Sequence, residues 1–422
     1  MPSWVRTLVP LVLLAAGVPA LARGQTSDVL FGGWTWRPRD QGSRPAGFGG
    51  SYVAVADSVR TAAVNPAGIA LIPNAEAAGG TAALWAGLGY SLRPRAVALP
   101  VPPMRPAQAT EPPPCEPGRQ SRPWALAVFA EQALDQENQI DVVRGPGLSE
   151  SGRLFATAEE VGASVAKGVA PWLNLGVTVA WRHVRLEGQS AVRDLSGAEV
   201  SRVILGGDSN KARAIAGALL TFGPESDPTA FRIGLAYHQD LFQWSVERTA
   251  IDAVAGTVSG PRTIQVSEPP VLAAGVAWRL SDAWLVSAEL DYVWYERVQR
   301  ALESNTDAAT ADQFRLRSGF EPRFGIETTR PSPTGGYFKL RGGVRRETSG
   351  RLQHVGGEGA LRQAFEAPPA AFRAAIGASL LGEFYENGFR LDVDISQVVV
   401  ERLTSVRAAG RRRLSFAITV RI

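Results

Sequence analysis

Apolar and polar residues alternate one by one in a long series of short segments between about residue 78 and the C-terminus. The clearest segment covers residues 283–296. One of its faces is apolar and consists of Trp284, Val286, Ala288, Leu290, Tyr292 and Trp294. The other face carries Ser287, Glu289 and Asp291. Successive side chains of a β-strand point to opposite faces, whereas a helix would mix these two sets. The alternation therefore predicts an all-β chain.

The same period of two recurs along the chain. It is clear at residues 173–182, 231–238, 389–396 and 414–422. Weaker strand-like segments lie at residues 78–90, 123–132, 155–168, 213–223, 271–280, 320–330, 336–347 and 370–383. Clusters of Gly, Pro, Asp and Ser separate the segments, as is typical of turns and loops. The sequence thus predicts about 13 or 14 strands.

A secretory signal peptide is predicted at residues 1–22, with cleavage after Ala22. Arg6 supplies the positive charge, Leu8–Val18 is an apolar run too short to span a bilayer, and residues 20–22 are a small-residue cleavage site. Beyond residue 22 the sequence has no run of about 18 apolar residues, which excludes a helical membrane protein on grounds of length.

Alternating strands suit either a soluble sandwich or a transmembrane barrel, and four features favour the barrel. The chain has a secretory signal, its strands continue without a domain break, and it ends on a strand that can pair with an early one. Aromatic residues also gather at strand ends, which suits an interfacial girdle. The girdle candidates are Trp284, Tyr292, Trp294 and Tyr295.

The sequence therefore predicts a multi-pass protein of the cell outer membrane. Its expected partners are outer-membrane lipid and the barrel-assembly machinery. Its divisions are a signal peptide (1–22), an N-terminal arm and hatch (23–77) and an outer-membrane β-barrel (78–422). Long polar or Pro-rich connections are predicted to be external loops. They cover residues 94–123, 132–151, 186–210, 249–270, 297–319 and 347–369.

Residues 44–73 differ from everything that follows, because they are rich in Gly and Ala and lack strand alternation. At their centre is Asn65-Pro66-Ala67-Gly68. Pro66 fixes its own φ and pushes Asn65 out of the α region, and Gly68 allows a turn that a side chain would block. An isolated Asn-Pro pair usually marks a simple turn. A non-alternating segment between a signal peptide and a closed barrel has a natural place inside the lumen.

The chain resembles the FadL-type outer-membrane transport family. The resemblance is carried by residues 44–50 (RPAGFGG), 52–57 (YVAVAD) and 65–70 (NPAGIA), and by the strand pairs after Glu268-Pro269-Pro270 and at residues 321–347. It implies a transmembrane antiparallel β-barrel of about 14 strands. It also implies that the N-terminal segment is a hatch that plugs the lumen, and that hydrophobic molecules such as long-chain fatty acids or aromatic hydrocarbons cross through the barrel. Relatives of PorV type share the motif and serve protein secretion and surface attachment.

No enzymatic activity, cofactor or metal is expected. The sequence lacks a Gly-x-Ser-x-Gly elbow, a P-loop and a His-Glu-x-x-His motif. His183, His238 and His354 are far apart, and the single cysteine, Cys115, has no partner for an internal disulfide. The net charge is only +4, and residues 411–413 (RRR) read as a solvated strand end, so no nucleic-acid partner is expected.

Charged residues on the polar strand faces are predicted to line the lumen: Arg232, Glu289, Asp291, Arg390, Asp392 and Asp394. They have two interpretations. They form a selectivity lining, or they pair with one another and with the hatch backbone to fill a plugged barrel. The second interpretation is favoured.

The hatch motif also has two interpretations. Asn65, Pro66, Ala67 and Gly68 form a gate whose shift opens the channel, or they only seat the plug. Three function classes follow: passive uptake of hydrophobic small molecules, which is favoured; a barrel that serves protein secretion or surface attachment; and a structural or general-diffusion barrel.

Overall fold

The computed structural model describes residues 43–72, 76–80, 85–92, 124–223, 230–241, 244–266, 268–298, 314–331, 336–348, 353–355, 371–384, 389–400 and 414–421. Three short helices come first: α1 (Ser43–Gly47) and the 3-10 helices η1 (Val59–Ala63) and η2 (Pro66–Leu71). The predicted signal peptide and the arm up to residue 42 lie outside the described residues, as does Cys115. Among the described residues, no helix is both long enough and apolar enough to span a membrane.

Antiparallel strands make up most of the described chain. They are β1 (Glu76–Gly80), β2 (Trp85–Leu92), β3 (Trp124–Gly145), β4 (Leu148–Ala170), β5 (Leu173–Arg193), β6 (Glu199–Phe222), β7 (Phe231–Asp240), β8 (Trp244–Asp252), β9 (Thr257–Val266), β10 (Val271–Ser281), β11 (Trp284–Val293), β12 (Phe314–Arg315), β13 (Gly319–Pro331), β14 (Tyr337–Glu347), β15 (Gln353–His354), β16 (Ala371–Phe384), β17 (Phe389–Val400) and β18 (Leu414–Arg421). The predicted all-β class is confirmed.

Fourteen of the strands form a closed ring. Pairing runs from β1 through β2, β3, β4, β5, β6, β7, β10, β11, β13, β14, β16 and β17 to β18, and β18 pairs back with β1. Closure leaves no strand of the ring with an unpaired edge. The hairpin β8–β9 attaches to the first part of β6, and β12 pairs with β15 apart from the ring. The predicted strand count is confirmed, but the single strand expected at residues 78–90 is two strands, β1 and β2.

The two faces of the strands differ as the alternation predicts. On β11, Glu289 and Asp291 are buried inside the ring, whereas Trp284 and Leu290 on the other face are 38% and 45% exposed. The outward faces of β3, β4, β5, β13 and β14 carry exposed apolar residues in the same way. A sheet that shows apolar side chains outward and buries charged ones inward has the polarity of a barrel surrounded by lipid.

The outward face of β5 marks the height of the apolar band. Trp172, in the turn before β5, and Trp181 are both exposed, and from His183 onward the outward side chains are polar. From Trp172 to Trp181 there are nine residue steps of about 3.3 Å each. With the strand tilted by about 40° from the barrel axis, they give an apolar band about 23 Å high, close to that of outer-membrane barrels. Tyr295 does not join the predicted girdle, because it is buried in an apolar cluster inside the ring.

Three of the predicted long loops consist largely of strands, and one of them, residues 249–270, contains the end of β8 and all of β9. Residues 132–151 and 186–210 belong mostly to the hairpins β3–β4 and β5–β6, whose strands are 21–24 residues long and continue past the apolar band. Most of their outward residues there are polar because they face water, so these segments lack the apolar face by which the other strands were predicted. We call this the long-hairpin end of the ring, and the opposite end, with the turn at residues 171–172, the short-turn end.

The Pro-rich connection at residues 94–123 was predicted to be external with the other long loops. Its own residues lie outside the described part of the chain. The residues that flank it, Leu92 and Trp124, pair with each other at the short-turn end. The connection therefore starts and ends opposite to the long hairpins, whereas the prediction placed it on the same side as them.

Candidate functional site

Residues 44–72, which we call the inner segment, lie inside the ring. Almost all of them are buried, and their contacts reach strands on several sides of the wall. Inward glycines of five strands allow this approach. A Cβ atom would lie 2.5 Å from Ala67 N at Gly176, 2.1 Å from Asn65 Oδ1 at Gly217, 2.3 Å from Val53 O at Gly234, 2.4 Å from Phe48 Cδ1 at Gly325 and 2.2 Å from Gly49 N at Gly343. The inner segment thus packs directly against the backbone of the wall at these inward glycines.

The Asn-Pro-Ala-Gly motif occupies the start of η2. The side chain of Asn65 accepts a hydrogen bond from Ala67 N (3.2 Å), and Pro66 takes the first helical position, where its missing N–H costs nothing. The Asn65 amide also donates to Val53 O (2.8 Å) within the inner segment and to Ala218 O (3.2 Å) on β6. Asn65 therefore joins two parts of the inner segment to the wall.

Gly68 is required by close packing. A Cβ atom at this position would lie 2.3 Å from Ala56 O. Ala56 itself has a φ of 35°, a conformation that residues with side chains rarely adopt. The fold of the inner segment is therefore tight at the motif, and it leaves no room for a larger residue at position 68.

Three predicted lumen-lining residues hold the backbone of the inner segment. Glu289 accepts hydrogen bonds from the backbone N–H groups of Tyr52 (2.7 Å) and Val53 (2.8 Å). Arg232 donates to the carbonyl of Val55. Asp291 lies 2.6 Å from Arg323, which itself donates to a carbonyl of the inner segment (2.9 Å). Arg390, Asp392 and Asp394 belong to β17, but their side chains lie outside the described part of the structure.

Six charged residues, which we call the ion layer, form a cluster on the inward side of β4–β7, between the inner segment and the long-hairpin end of the ring. Its cations are Arg182, Lys211 and Arg213, and its carboxylates are Glu160, Asp240 and Glu268. Arg182 contacts Glu160 and Glu268, each at 2.6 Å, and Lys211 contacts Asp240 at 2.6 Å and Glu268 at 3.2 Å. None of these pairs was predicted from the sequence.

Glu268 lies in the connection between β9 and β10, outside the strands. Burial alone would raise the pKa of its carboxyl group, but the positive charges of Arg182 and Lys211 outweigh burial and lower that pKa to about 2. Glu268 is therefore a carboxylate at any pH above the acid range, and it holds both cations.

A further set of charges anchors the start of the inner segment. Arg44 contacts Asp57 (2.8 Å) and Glu327 on β13 (3.3 Å), and Glu327 also contacts Lys339 and Arg341 of β14. Burial of Glu327 is tolerable because it meets three cations, Arg44, Lys339 and Arg341.

A cluster of packed apolar side chains lies at the long-hairpin end of the ring, beyond the ion layer. Its buried members come from the extended parts of β3–β6, from β8 and β9, and from the region of the helical turn at residues 295–298. They are Ala133, Ile140, Val142, Leu154, Ala156, Ala158, Val184, Leu186, Leu205, Val246, Ile264, Val293, Tyr295, Val298 and Leu316. We call this set the apolar chamber. It is the largest apolar cluster among the described residues, and much of it lies in strands at residues predicted to be loops.

A cavity lies beside the inner segment and the ion layer. Its lining includes Tyr52, Arg213, His238, Glu268 and Glu289. In the part of the chain that the structure describes, no group of three or more His, Cys, Asp or Glu side chains is arranged to hold a metal ion.

No protein-family model and no curated protein sequence matches the chain, but solved channel structures do. The CymD monoaromatic hydrocarbon channel matches with a TM-score of 0.50 and 14% identity, over 90% of this chain and 96% of that chain. A FadL homologue of Pseudomonas aeruginosa matches with a TM-score of 0.50 and 13% identity, over 92% of this chain and 99% of that chain. This chain shares their fold. The toluene transporter TodX of P. putida matches equally well, with a TM-score of 0.50 and 14% identity over 91% and 97% of the two chains. The resemblance to FadL-type transporters drawn from the sequence is confirmed at the level of the fold.

Proposed function

We propose that this protein is an outer-membrane channel for the passive uptake of hydrophobic small molecules, such as long-chain fatty acids or aromatic hydrocarbons. The observation that carries the proposal is the apolar chamber at the long-hairpin end of the ring. Long connections of outer-membrane barrels face the outside, so this chamber would face the source of the ligand. The shared fold with hydrocarbon channels supports the same conclusion. The proposal involves no catalytic step and no cofactor.

The inner segment supports a channel that is closed at rest. It is buried within the ring, and it is held by hydrogen bonds from the wall in addition to apolar packing. A general-diffusion pore requires an open aqueous path, which a buried segment of this size opposes. We therefore place the gate at the inner segment, with Asn65, Pro66, Ala67 and Gly68 at its tightest point.

A pair of neighbouring substitutions tests the proposal. Leu186→Gln places an amide in the apolar chamber, whereas Glu187→Gln places the same side chain on the outward face of the same strand. A buried amide without a full set of partners disfavours an apolar ligand by about 1–3 kcal/mol. We expect Leu186→Gln to lower the uptake of radiolabelled oleate or toluene by roughly five-fold or more, and Glu187→Gln to leave it unchanged.

Both variants must first show the heat-modifiable gel migration of a folded barrel. Equal uptake by the two folded variants would contradict a role for the chamber. Mass spectrometry of an organic extract of the purified wild-type protein gives an independent readout, because a chamber that binds the transported molecule should retain an apolar ligand.

A barrel that serves surface attachment is the second candidate, and one observation favours it. Strand β9 stands at the end of the sheet order in the described part of the chain, and it is largely exposed. An exposed edge strand offers backbone groups to a partner chain. Cross-linking in cells from a photoreactive residue at Val258 distinguishes the candidates: a secreted protein captured there, together with normal uptake in its absence, would favour attachment.

A further inference from the structure

An apolar groove lies on the outward face of the ring, away from the lumen. It has a volume of about 250 Å³ and crosses β4, β5, β6, β7 and β10. Ala216 and Ala218 of β6 form its floor. Larger side chains on the two neighbouring strands pair with them and form its sides: Leu175 and Val177 on β5, and Leu235 and Tyr237 on β7. The two sides are two strand spacings apart, roughly 10 Å, which leaves room for one hydrocarbon chain.

A cation lies at one end of this groove. The chain has only three lysines, and two of them, Lys211 and Lys339, form ion pairs inside the ring. Lys167 instead lines the outward groove, with its ammonium group 4.6 Å from the centre of the Trp124 ring. No carboxylate pairs with Lys167 among the residues whose side chains are described. An ammonium group at a lipid-facing surface is costly unless it meets an anion or water.

The position of Lys167 identifies the kind of anion. Lys167 pairs with Trp124 and precedes the turn at residues 171–172 by a few residues, so it lies at the short-turn end of the apolar band. Short turns of outer-membrane barrels face the periplasm. The leaflet on that side consists of glycerophospholipids, whose phosphate groups lie at the level of an interfacial tryptophan.

We propose that this groove binds one glycerophospholipid of the periplasmic leaflet. One acyl chain lies over Ala216 and Ala218, and the phosphate contacts the ammonium group of Lys167. The site is outside the lumen and does not depend on the uptake proposed above. It requires only that the barrel stands in the outer membrane with its short turns toward the periplasm.

The chain offers matched control positions for both parts of the site. Arg330 stacks on Trp284 at 6.0 Å on the outward face, also at the short-turn end, but it does not line the groove. Ala288 is an outward alanine whose pairing partners are Val276 and the bulky Phe324. Arg330→Gln and Ala288→Leu therefore repeat the two test substitutions at lipid-facing positions without the groove.

Native mass spectrometry of the delipidated full-length barrel in detergent, titrated with dioleoylphosphatidylglycerol, tests the proposal. Heat-modifiable migration confirms that each variant is folded. We expect the wild type to retain one lipid, and Lys167→Gln to weaken retention about five-fold, as for the loss of one interfacial cation. Ala216→Leu should also weaken retention, because it fills the floor. Arg330→Gln and Ala288→Leu should behave as the wild type.

Two results would overturn the proposal. Equal losses in Lys167→Gln and Arg330→Gln would mean that any interfacial cation holds lipid, without a defined site. Equal retention of phosphatidylglycerol and of dioleoylglycerol, which lacks the phosphate, would mean that Lys167 recognises no headgroup.

Discussion

We expect a methyl group added at Gly217 to push the inner segment away from the wall of the ring. A Cβ atom on Gly217 would lie 2.1 Å from Asn65 Oδ1 and 2.9 Å from Pro66 Cδ. Asn65 would have to withdraw by roughly 1 Å or more to restore a normal contact distance. Gly217 lies in β6 without a positive φ, so alanine fits the strand itself. Gly217→Ala therefore acts on the seat of the inner segment and leaves the ring intact.

The magnitude follows from the hydrogen bonds of the Asn65 side chain. It makes three, to Val53 O, Ala218 O and Ala67 N. At about 0.5–1.5 kcal/mol each, their loss lowers the free energy of local opening by roughly 2–4 kcal/mol. Backbone amides of the inner segment that exchange through this opening should then exchange roughly 30- to 1000-fold faster. Hydrogen-exchange mass spectrometry of peptides from residues 59–72 measures this change.

Gly206→Ala is the matched control, because it is the same substitution on the same strand with no atom within 4 Å of the added methyl group. Its exchange in residues 59–72 should equal that of the wild type. Planar-bilayer recordings give a second readout, in which Gly217→Ala should conduct ions more than Gly206→Ala. Identical exchange in the two variants would refute the claim that Gly217 seats the inner segment.

Three further outcomes are expected. Asn65→Ala should speed exchange in the inner segment, and uptake measured on the folded variant separates the two roles: changed uptake supports a gate, and normal uptake leaves only a seat. Glu289→Ala should speed exchange by roughly ten-fold at the two backbone N–H groups that its carboxyl group accepts from, since both buried donors lose their acceptor; unchanged rates would contradict this. The lowered pKa of Glu268 means that its contribution to stability is complete above about pH 4.5 and is lost as the pH falls toward 2. Glu268→Gln should therefore show a smaller loss of stability over that range in thermal unfolding, and an unchanged loss would contradict its pairing with Arg182 and Lys211.

Period-two alternation was sufficient to predict the strands wherever one face is apolar, as in β11. It did not predict the extended parts of β3–β6. Most outward residues there face water, so the difference in polarity between the two faces of the strand is weak over these segments. The inward face continues to be apolar, with Leu154, Leu186 and Leu205. Reading each face separately would have revealed these extensions and, with them, the apolar chamber.

Only some contacts of the candidate site could be predicted from the sequence. Glu160 and Arg182 pair across the hairpin β4–β5, so their contact follows from the strand register. Glu268 lies 86 residues from Arg182, and that contact requires the closed ring. The seating role of Gly217 was also hidden, since a glycine in a strand shows no partner until the opposing backbone is placed.

The ion layer lies on the β4–β7 side of the ring, between the inner segment and the apolar chamber. It contains three cations and three carboxylates, so it has no net charge to attract an ionic ligand, and its members are bound to one another. Five of the six residues belong to strands of the ring, and moving their backbones would break inter-strand hydrogen bonds. Glu268 is the exception, because it lies in the connection between β9 and β10. Its displacement separates it from Arg182 and Lys211 but breaks no strand pairing. Of the six residues, Glu268 is therefore the one whose displacement would cost no strand pairing.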